Sequence, residues 1–288
     1  MAPLFTANWF NFGRTPVTDG VVNVNATGGN SVVTPGDGFK YHIFTSSGSF
    51  VVNTNDGGYG YEVFLIGGGG GGGRGGDGWG GAGGAGGAVW MGSTNQTVQF
   101  TNGTTNPVTI GSGGSVQTNG GNTQLVMPQG SYTFDGEGGG YGGSRSAFNP
   151  PGQVECSPGG CGGGRGVDSG SCPGTQPTAS QGPGQPGNWN TSREGQPAPP
   201  TNNCNGGSAN PNNDRTANWD LPIISGAFPT GVIGRGGPGT LGGPGQPPQP
   251  AVTWSGTPVC YGSGGNASNG SGGTGADGVC VIRYAWYE

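Results

Sequence analysis

The chain has 288 residues, of which 73 are glycine and 24 are proline. Together these make up about a third of the sequence, a proportion typical of low-complexity chains. Charged residues amount to only 8 %, the net charge is −5 and Lys40 is the only lysine. The sequence therefore has no basic patch, and we expect no nucleic-acid partner. No apolar run approaches ~18 residues, so no transmembrane helix is predicted.

Residues 1–38 are interpreted as an N-terminal strand or arm for attachment. Four aromatic residues open it: Phe5, Trp9, Phe10 and Phe12. They either dock into a partner protein or cap the protein's own small core, and both interpretations stay open. The start MAPLFTANWF lacks the basic and apolar regions of a signal peptide. If the protein acts outside a cell, we therefore expect it to leave by another route, such as lysis.

Residues 39–66 carry the clearest strand pattern. In FKYHIF, Phe39, Tyr41 and Ile43 alternate with Lys40, His42 and Phe44, as in a β-strand. Residues 46–49 are predicted to form the turn of a hairpin, with residues 50–52 returning. His42 is predicted to face solvent. An apolar strand at 61–66 follows.

That last strand runs directly into seven consecutive glycines, residues 67–73. Trp79, Ala82, Ala85 and Ala88 then recur every third residue, with glycine between them. A period of three without intervening side chains is typical of an extended threefold helix that has no internal hydrogen bonds. Such helices must bond to one another side by side. A flexible linker is the alternative interpretation.

Glycine-rich runs recur at 136–144, 159–166, 231–245 and 262–278, with strand-like pieces at 97–100, 107–110 and 123–127. The predicted fold class is therefore mainly β plus irregular structure. Stacked polyglycine-II helices are clamped by short β-strands, with long loops and almost no α-helix. The glycine-rich domain is predicted to span 39–288, with polyglycine runs and loops at 67–278 and a closing strand at 279–288.

We expect one or two disulfides among five cysteines, four of which lie in loops with little apolar support: Cys156, Cys161, Cys172, Cys204 and Cys260. Isolated reduced thiols are the alternative. Cys280 alternates with valines in the closing strand, which favours a buried free thiol. No C-x-x-C pair is present and His42 is the only histidine, so neither a metal site nor a cofactor is predicted.

The long loops hold isolated aromatic residues among small polar ones. Aromatic side chains offer a large contact area at low entropic cost, which suits recognition. The candidate receptor-binding residues are Trp189, Trp219, Trp254, Phe148, Phe228 and Tyr261. The alternative is that these aromatics fold back and cover the glycine layer.

Three segments carry a resemblance to a known family: YHIFTSSGSFVV, YEVFLIGGGGGGG and GADGVCVIRYAWYE. They resemble the glycine-rich domain of bacteriophage tail-fibre and other virion structural proteins. More loosely, the chain resembles the polyglycine-II adhesins at the tail-fibre tips of T-even-like phages. The proline-rich stretch 173–200 and the six cysteines depart from both patterns.

The resemblance implies a virion protein that is made in the host cytoplasm and is extracellular after lysis. The implied function is a tail-fibre or tail-tip adhesin, without enzymatic activity. Its partners would be other tail-fibre or baseplate proteins, further copies of itself in a homo-oligomer such as a trimer, and a host cell-surface glycan or outer-membrane protein.

Two other functions stay open. One is a virion decoration or fibre protein that binds no receptor. The other is an ice-binding protein, which needs a flat array of Thr or Ala, whereas Ala82, Ala85 and Ala88 form only one short row. A glycan hydrolase is disfavoured because it needs a carboxylate pair on a rigid frame, and the few acids, such as Asp135 and Glu137, are predicted to lie in glycine-rich turns.

Overall fold

The computed structural model describes residues 24–75, 79–80, 83, 86–91, 98–143, 222–228, 240–241, 253–254, 257–258, 261–265, 268–269 and 272–286. Within these ranges the chain is mainly β-sheet, joined by long irregular segments. The single α-helix of the described residues is α1 (Pro222–Ala227). This confirms the predicted fold class at that level.

Two five-stranded antiparallel sheets form the core of the fold. Sheet 1 has the strand order β1 (Val24–Thr27), β4 (Gly48–Asn55), β9 (Thr105–Thr109), β10 (Thr123–Met127) and β11 (Tyr132–Gly136). Sheet 2 has the order β2 (Ser31–Val33), β3 (Phe39–Phe44), β16 (Val279–Ala285), β5 (Tyr61–Ile66) and β8 (Ala88–Met91).

Sheet 2 is the middle layer of the molecule. Its inner face packs on sheet 1 through a cluster that includes Phe50, Leu65 and Ile282. Its outer face is covered by α1, whose Ile223 joins a second cluster. Because both faces are covered, every residue of β5 is buried, which explains why YEVFLI reads as an almost continuous apolar run.

The predicted hairpin at 39–66 is wrong. β3 lies in sheet 2 and β4 lies in sheet 1, and the two strands do not pair with each other. Residues 45–47 cross from one sheet to the other. Phe44 and Phe50 both point into the core between the sheets, so the alternating pattern separated the two faces of the strand correctly but did not identify the pairing partners.

Residues 24–33, which the sequence placed in an N-terminal arm, supply an edge strand to each sheet. β1 pairs with β4, and β2 pairs with β3. The corner between them needs glycine at residue 28, which has a φ of +116° and whose added Cβ would overlap the Ser49 carbonyl oxygen. The attachment role of residues 1–23, including Phe5, Trp9, Phe10 and Phe12, lies outside the described residues.

The predicted solvent exposure of His42 is also wrong, since its side chain is buried between the two sheets. Its Nδ1 donates to the Gly28 carbonyl oxygen at 2.8 Å, and its Nε2 accepts from the Tyr284 hydroxyl at 3.3 Å. These partners fit the neutral ring with the proton on Nδ1. The ring also lies against Phe50, with centroids 5.1 Å apart.

We expect acid to destabilise the fold through His42. Burial lowers the pKa of His42 below its usual 6.5, and the nearby charge of Lys40 lowers it further. The hydrogen bond to the Gly28 carbonyl oxygen partly opposes this shift. The unfolded chain therefore binds a proton that the folded chain excludes, so stability is lost as the pH falls below about 6.5. Urea titrations should show about 1 kcal/mol less stability at pH 5.5 than at pH 7.5.

The control for this prediction is His42→Gln, which cannot titrate but keeps a polar side chain. Its stability should change much less over the same pH interval. Equal pH dependence in both proteins would assign the effect to other groups.

Candidate functional site: the glycine bundle and its distal end

The seven glycines Gly67–Gly73 form the centre of a bundle that continues from one end of the two sheets. They follow β5 directly, and all are buried. Backbone hydrogen bonds of 2.8 to 3.2 Å join them to six surrounding segments: residues 83 with 86–87, 111–117, 118–121, 137–143, 262–265 and 272–278. The central run is therefore enclosed on every side by other backbone.

The six outer segments close into a ring, because each is also hydrogen-bonded to the next. Gly121 donates to Ser112, Gly120 to Gly139 and Gly87 to Glu137. The other three junctions are Gly86 to Gly262, Gly262 to Asp277 and Gly275 to Gly114. The registers show that neighbouring ring segments run in opposite directions, so the ring alternates upward and downward chains.

The predicted period of three appears in these contacts. A Cβ added to Gly67, Gly70 or Gly73 would overlap a carbonyl oxygen of Glu137, Gly140 or Gly143 respectively. Gly68 and Gly71 face Ser112 and Ser115 in the same way. Residues three apart thus face the same neighbouring segment, whereas the polyglycine-II conformation itself stays a prediction.

Three side chains that the sequence analysis did not single out join neighbouring segments of the ring. Asn119 and Asn122 accept through Oδ1 from the backbone N–H of Tyr141 and Gly138, at 3.0 and 2.9 Å. Asp277 Oδ1 accepts from Gly113 N–H at 2.7 Å. The available signal was the spacing of Asn119 and Asn122, three apart and flanking Gly120–Gly121.

Ala88 continues the three-residue spacing of the glycine run, but it is 1 % exposed and packs in the cluster under α1. The reason is that the run ends at Gly87 and Ala88 begins β8. Ala82 and Ala85 lie outside the described residues.

The far end of the bundle, which we call the distal end, lies where the central run leaves Gly73. There β6 (Arg74–Gly75) pairs in parallel with β15 (Ser268–Asn269). Beside them, β7 (Trp79–Gly80) pairs antiparallel with β12 (Thr240–Leu241). The opposite end of the bundle joins the sheets, for example where Gly278 precedes β16.

The predicted receptor-binding residues are only partly described. Phe148, Trp189 and Trp219 lie outside the described residues. For Trp254 the backbone is described, in β13 (Thr253–Trp254), which pairs with β14 (Thr257–Pro258). Phe228 is 2 % exposed in the cluster under α1, and its ring lies 5.6 Å from that of half-buried Tyr261. Both side chains pack in or against the cluster under α1, on the outer face of sheet 2. Their receptor-binding role stays a prediction.

Five of the six cysteines lie outside the described residues: Cys156, Cys161, Cys172, Cys204 and Cys260. The disulfides expected among them stay a prediction. Cys280 is a free thiol and is fully buried in β16, as its alternation with valine predicted.

Burial raises the pKa of the Cys280 thiol well above its usual range, so the reactive thiolate is scarce. We expect iodoacetamide at pH 8 to leave Cys280 unmodified in the native protein and to modify it in 6 M guanidinium. Peptide mass spectrometry measures both. Modification at equal rates in the two conditions would show that this strand opens readily.

The outer face of sheet 2 carries a buried polar network. Arg283 Nη2 donates to both carboxylate oxygens of Glu62 at 2.9 Å, and Nη1 donates to the Tyr41 hydroxyl at 3.0 Å. The Tyr41 hydroxyl in turn donates to Asp37. Burial, together with the bond to Asp37, raises the pKa of Tyr41 to about 12, which keeps this phenol a donor.

Helix α1 covers this network. A Cβ on Gly226 of α1 would overlap the Tyr41 hydroxyl, so glycine lets the helix lie directly on the network. Burial alone would lower the pKa of Arg283, but the Glu62 carboxylate raises it, so the pair stays ionised. The Arg283 guanidinium also lies 4.1 Å from the centre of the Phe39 ring. These contacts hold α1 against the outer face of sheet 2.

Among the described residues, no group of three or more His, Cys, Asp or Glu side chains is arranged to hold a metal ion. The same residues include no helix that is both long and apolar enough to cross a membrane.

Comparison with known proteins yields one family. No curated protein matches the chain. A family model described as a glycine-rich domain matches residues 45–285, a span that begins at the crossing between the sheets and ends at the last residue of β16. The chain therefore belongs to the glycine-rich domain family.

Proposed function

We propose that this protein is a structural protein of a bacteriophage virion, namely a tail-fibre or tail-tip adhesin. In this proposal it binds a host cell-surface receptor through loops held out by the glycine bundle. The observation that supports it most is the closed ring of six segments around Gly67–Gly73, which continues from one end of sheets 1 and 2. The motifs that resemble phage tail-fibre proteins support it independently.

The physical argument starts from the lack of side chains inside the bundle. A run of buried glycines has nothing with which to recognise a ligand, but its cross-bonded backbone is held at many points. Function then resides on the segments that such a scaffold presents, which is the usual place for binding residues. Among those segments, the aromatic residues provide the most contact area.

The N-terminal segment, residues 1–23, has a different role in this proposal. Residues 1–23 precede the edge strand β1, and their aromatics would attach the chain to other tail-fibre or baseplate proteins. At the other end the receptor would be a glycan or an outer-membrane protein. With a net charge of −5, purely electrostatic attachment to an anionic envelope is disfavoured, which favours apolar and hydrogen-bonding contact.

The test measures adsorption to the host of virions that carry Trp189→Ala, Trp219→Ala or Trp254→Ala, with folding verified by thermal melting. We expect at least one variant to adsorb more than about 10-fold more slowly, as for an interface residue whose loss costs ~1.4 kcal/mol or more. Mass spectrometry of the purified virions verifies that each variant is incorporated.

One outcome favours the alternative of a decoration or fibre protein. If all three variants adsorb at the parental rate while removal of residues 1–23 abolishes incorporation into virions, the protein is structural and binds no receptor through these loops. Absence of the protein from purified virions would overturn both the adhesin proposal and the alternative of a decoration or fibre protein.

A further inference from the structure

Residues 272–285, which we call the closing segment, connect the glycine bundle to sheet 2. They comprise the ring segment 272–278 and β16, and they follow every other strand and helix that the structure describes. β16 lies in the middle of sheet 2, where it pairs with β3 on one side and with β5 on the other. Every residue from Val279 to Tyr284 is buried.

We infer that the closing segment makes folding an all-or-none event. Sheet 2, the two hydrophobic clusters and the ring around Gly67–Gly73 form only when this segment is inserted, and no part of them is stable before that. The segment is thus a conformational device that links folding to the synthesis of the chain as far as residue 285. This inference goes beyond the proposed function and does not depend on it.

Sheet 2 is not continuous without β16. Its strand order is β2, β3, β16, β5 and β8, so a chain without the middle strand has two separate pairs, β2 with β3 and β5 with β8. A two-stranded ribbon is at best marginally stable in water. Its own neighbours in sequence therefore cannot stabilise β3 or β5, and both strands depend on a partner that comes much later in the chain.

The closing segment also contributes to both hydrophobic clusters. Its alternate side chains enter them from opposite faces of β16: Cys280, Ile282 and Tyr284 between the sheets, and Val279 and Val281 under α1. Arg283 is the cation that pairs with buried Glu62, and the two residues are 221 positions apart in the chain. A chain without the segment would lose the middle of each cluster and would have to bury the Glu62 carboxylate without its cation, which is costly.

The same segment supplies one of the six sides of the ring. Gly69 and Gly72 of the central run donate to the carbonyl oxygens of Ala276 and Gly273, both at 2.8 Å. The ring segment 111–117 is bonded to the closing segment as well. Without it, two backbone donors of the central run would face an open side of the ring, and buried backbone donors need partners.

The order of synthesis gives this dependence its consequence. β1 to β5 and the seven glycines leave the ribosome long before the closing segment exists, and domains generally fold as units. Contacts between residues so far apart in sequence also carry a loop-closure cost before they stabilise anything. A chain that ends before residue 272 would therefore stay unfolded and would bring no folded bundle into an assembly.

The first experiment uses two variants of the full-length protein. Val281→Asp places a charge at a position of β16 that is 0 % exposed, where burial of the charge opposes insertion of the strand. The matched control is Val32→Asp in β2, at the edge of the same sheet, where the side chain is 47 % exposed. Hydrogen exchange with mass spectrometry measures amide protection in sheet 1, in sheet 2 and in residues 67–73.

We expect Val281→Asp to lose protection in all three regions together. Val32→Asp should keep the parental protection within about 2-fold, as for a substitution on the surface. Protection that survives in sheet 1 or in residues 67–73 of Val281→Asp would show that part of the fold is stable without the closing segment. That result would overturn the inference.

The second experiment tests the parental chain while it is still attached to the ribosome by a stalling sequence. A short lysine-free linker before that sequence keeps residues 272–288 inside the ribosome, whereas a long one places them outside. Lys40 is the only lysine of the chain and lies in β3. Cleavage of the N-terminally labelled chain by a lysine-specific protease therefore reports whether β3 is folded.

We expect cleavage at Lys40 with the short linker and resistance with the long linker. The released full-length protein should resist cleavage in the same way as the chain on the long linker. Equal cleavage at the two linker lengths would overturn the inference, because β3 would then be indifferent to the closing segment. Neither result depends on whether the protein binds a host cell, so the proposed function is tested separately.

Discussion

Replacing Gly70 by valine is expected to destabilise the protein by more than about 3 kcal/mol and to prevent the bundle from closing. Gly70 lies in the middle of the central run, and an added Cβ would overlap the Gly140 carbonyl oxygen and approach its carbon. The obstacle is backbone on a neighbouring segment, which cannot rotate away as a side chain can. Because six segments surround the run, no direction is open for relaxation.

The matched control is Gly48→Val in β4. A Cβ on Gly48 would meet only the Phe44 ring, at 3.7 Å, which is ordinary van der Waals contact. Gly48 is exposed and lies in a strand, where valine is favoured, so its stability change should stay within about 0.5 kcal/mol. Urea unfolding measures both variants, and equal losses would contradict the enclosed position of the central run.

Arg283→Met is expected to lower the free energy of unfolding by about 3–5 kcal/mol. Methionine fills a similar volume but leaves the Glu62 carboxylate, which is 3 % exposed, without its cation. A buried carboxylate that loses its partner keeps the cost of desolvation and loses the attraction that offset it. The Tyr41 hydroxyl also loses a donor.

The double variant Glu62→Gln with Arg283→Met tests this explanation. It removes both charges, so it should recover much of the stability lost in Arg283→Met. The control is Lys40→Met, which removes a cation 4.2 Å from the Trp286 ring centre. It should lower the free energy of unfolding by no more than ~1 kcal/mol. A double variant as unstable as Arg283→Met would mean that packing, rather than charge, explains the loss.

Local patterns predicted several elements closely. The piece at 123–127 coincides with β10, and the closing strand contains β16. The alternation in FKYHIF assigned its residues to two faces correctly, because side chains on a strand point alternately to opposite faces. It was wrong about exposure at His42, since the second face is covered by sheet 1.

The distal end of the bundle shows a limit of the same kind. Trp79 stood out in the sequence only as one member of a triplet repeat. Its neighbours in β12 and β15 lie far away along the chain. No periodicity relates such segments, so only chain pairing in three dimensions can bring them together.

By itself, the sequence determined the period of each segment: two in the strands and three in the glycine runs. Both follow from local backbone geometry and from where side chains are present or absent. The tertiary structure alone decided which segments became neighbours. Phe39–Phe44 and Gly48–Asn55 joined different sheets, and the run after β5 became the centre of a closed ring. The reason is that glycine backbones carry identical donors and acceptors, so a glycine run has no side chain with which to choose its partner. The two sheets, whose buried side chains fit in one way, position the strands from which these runs emerge and so set their order around the ring.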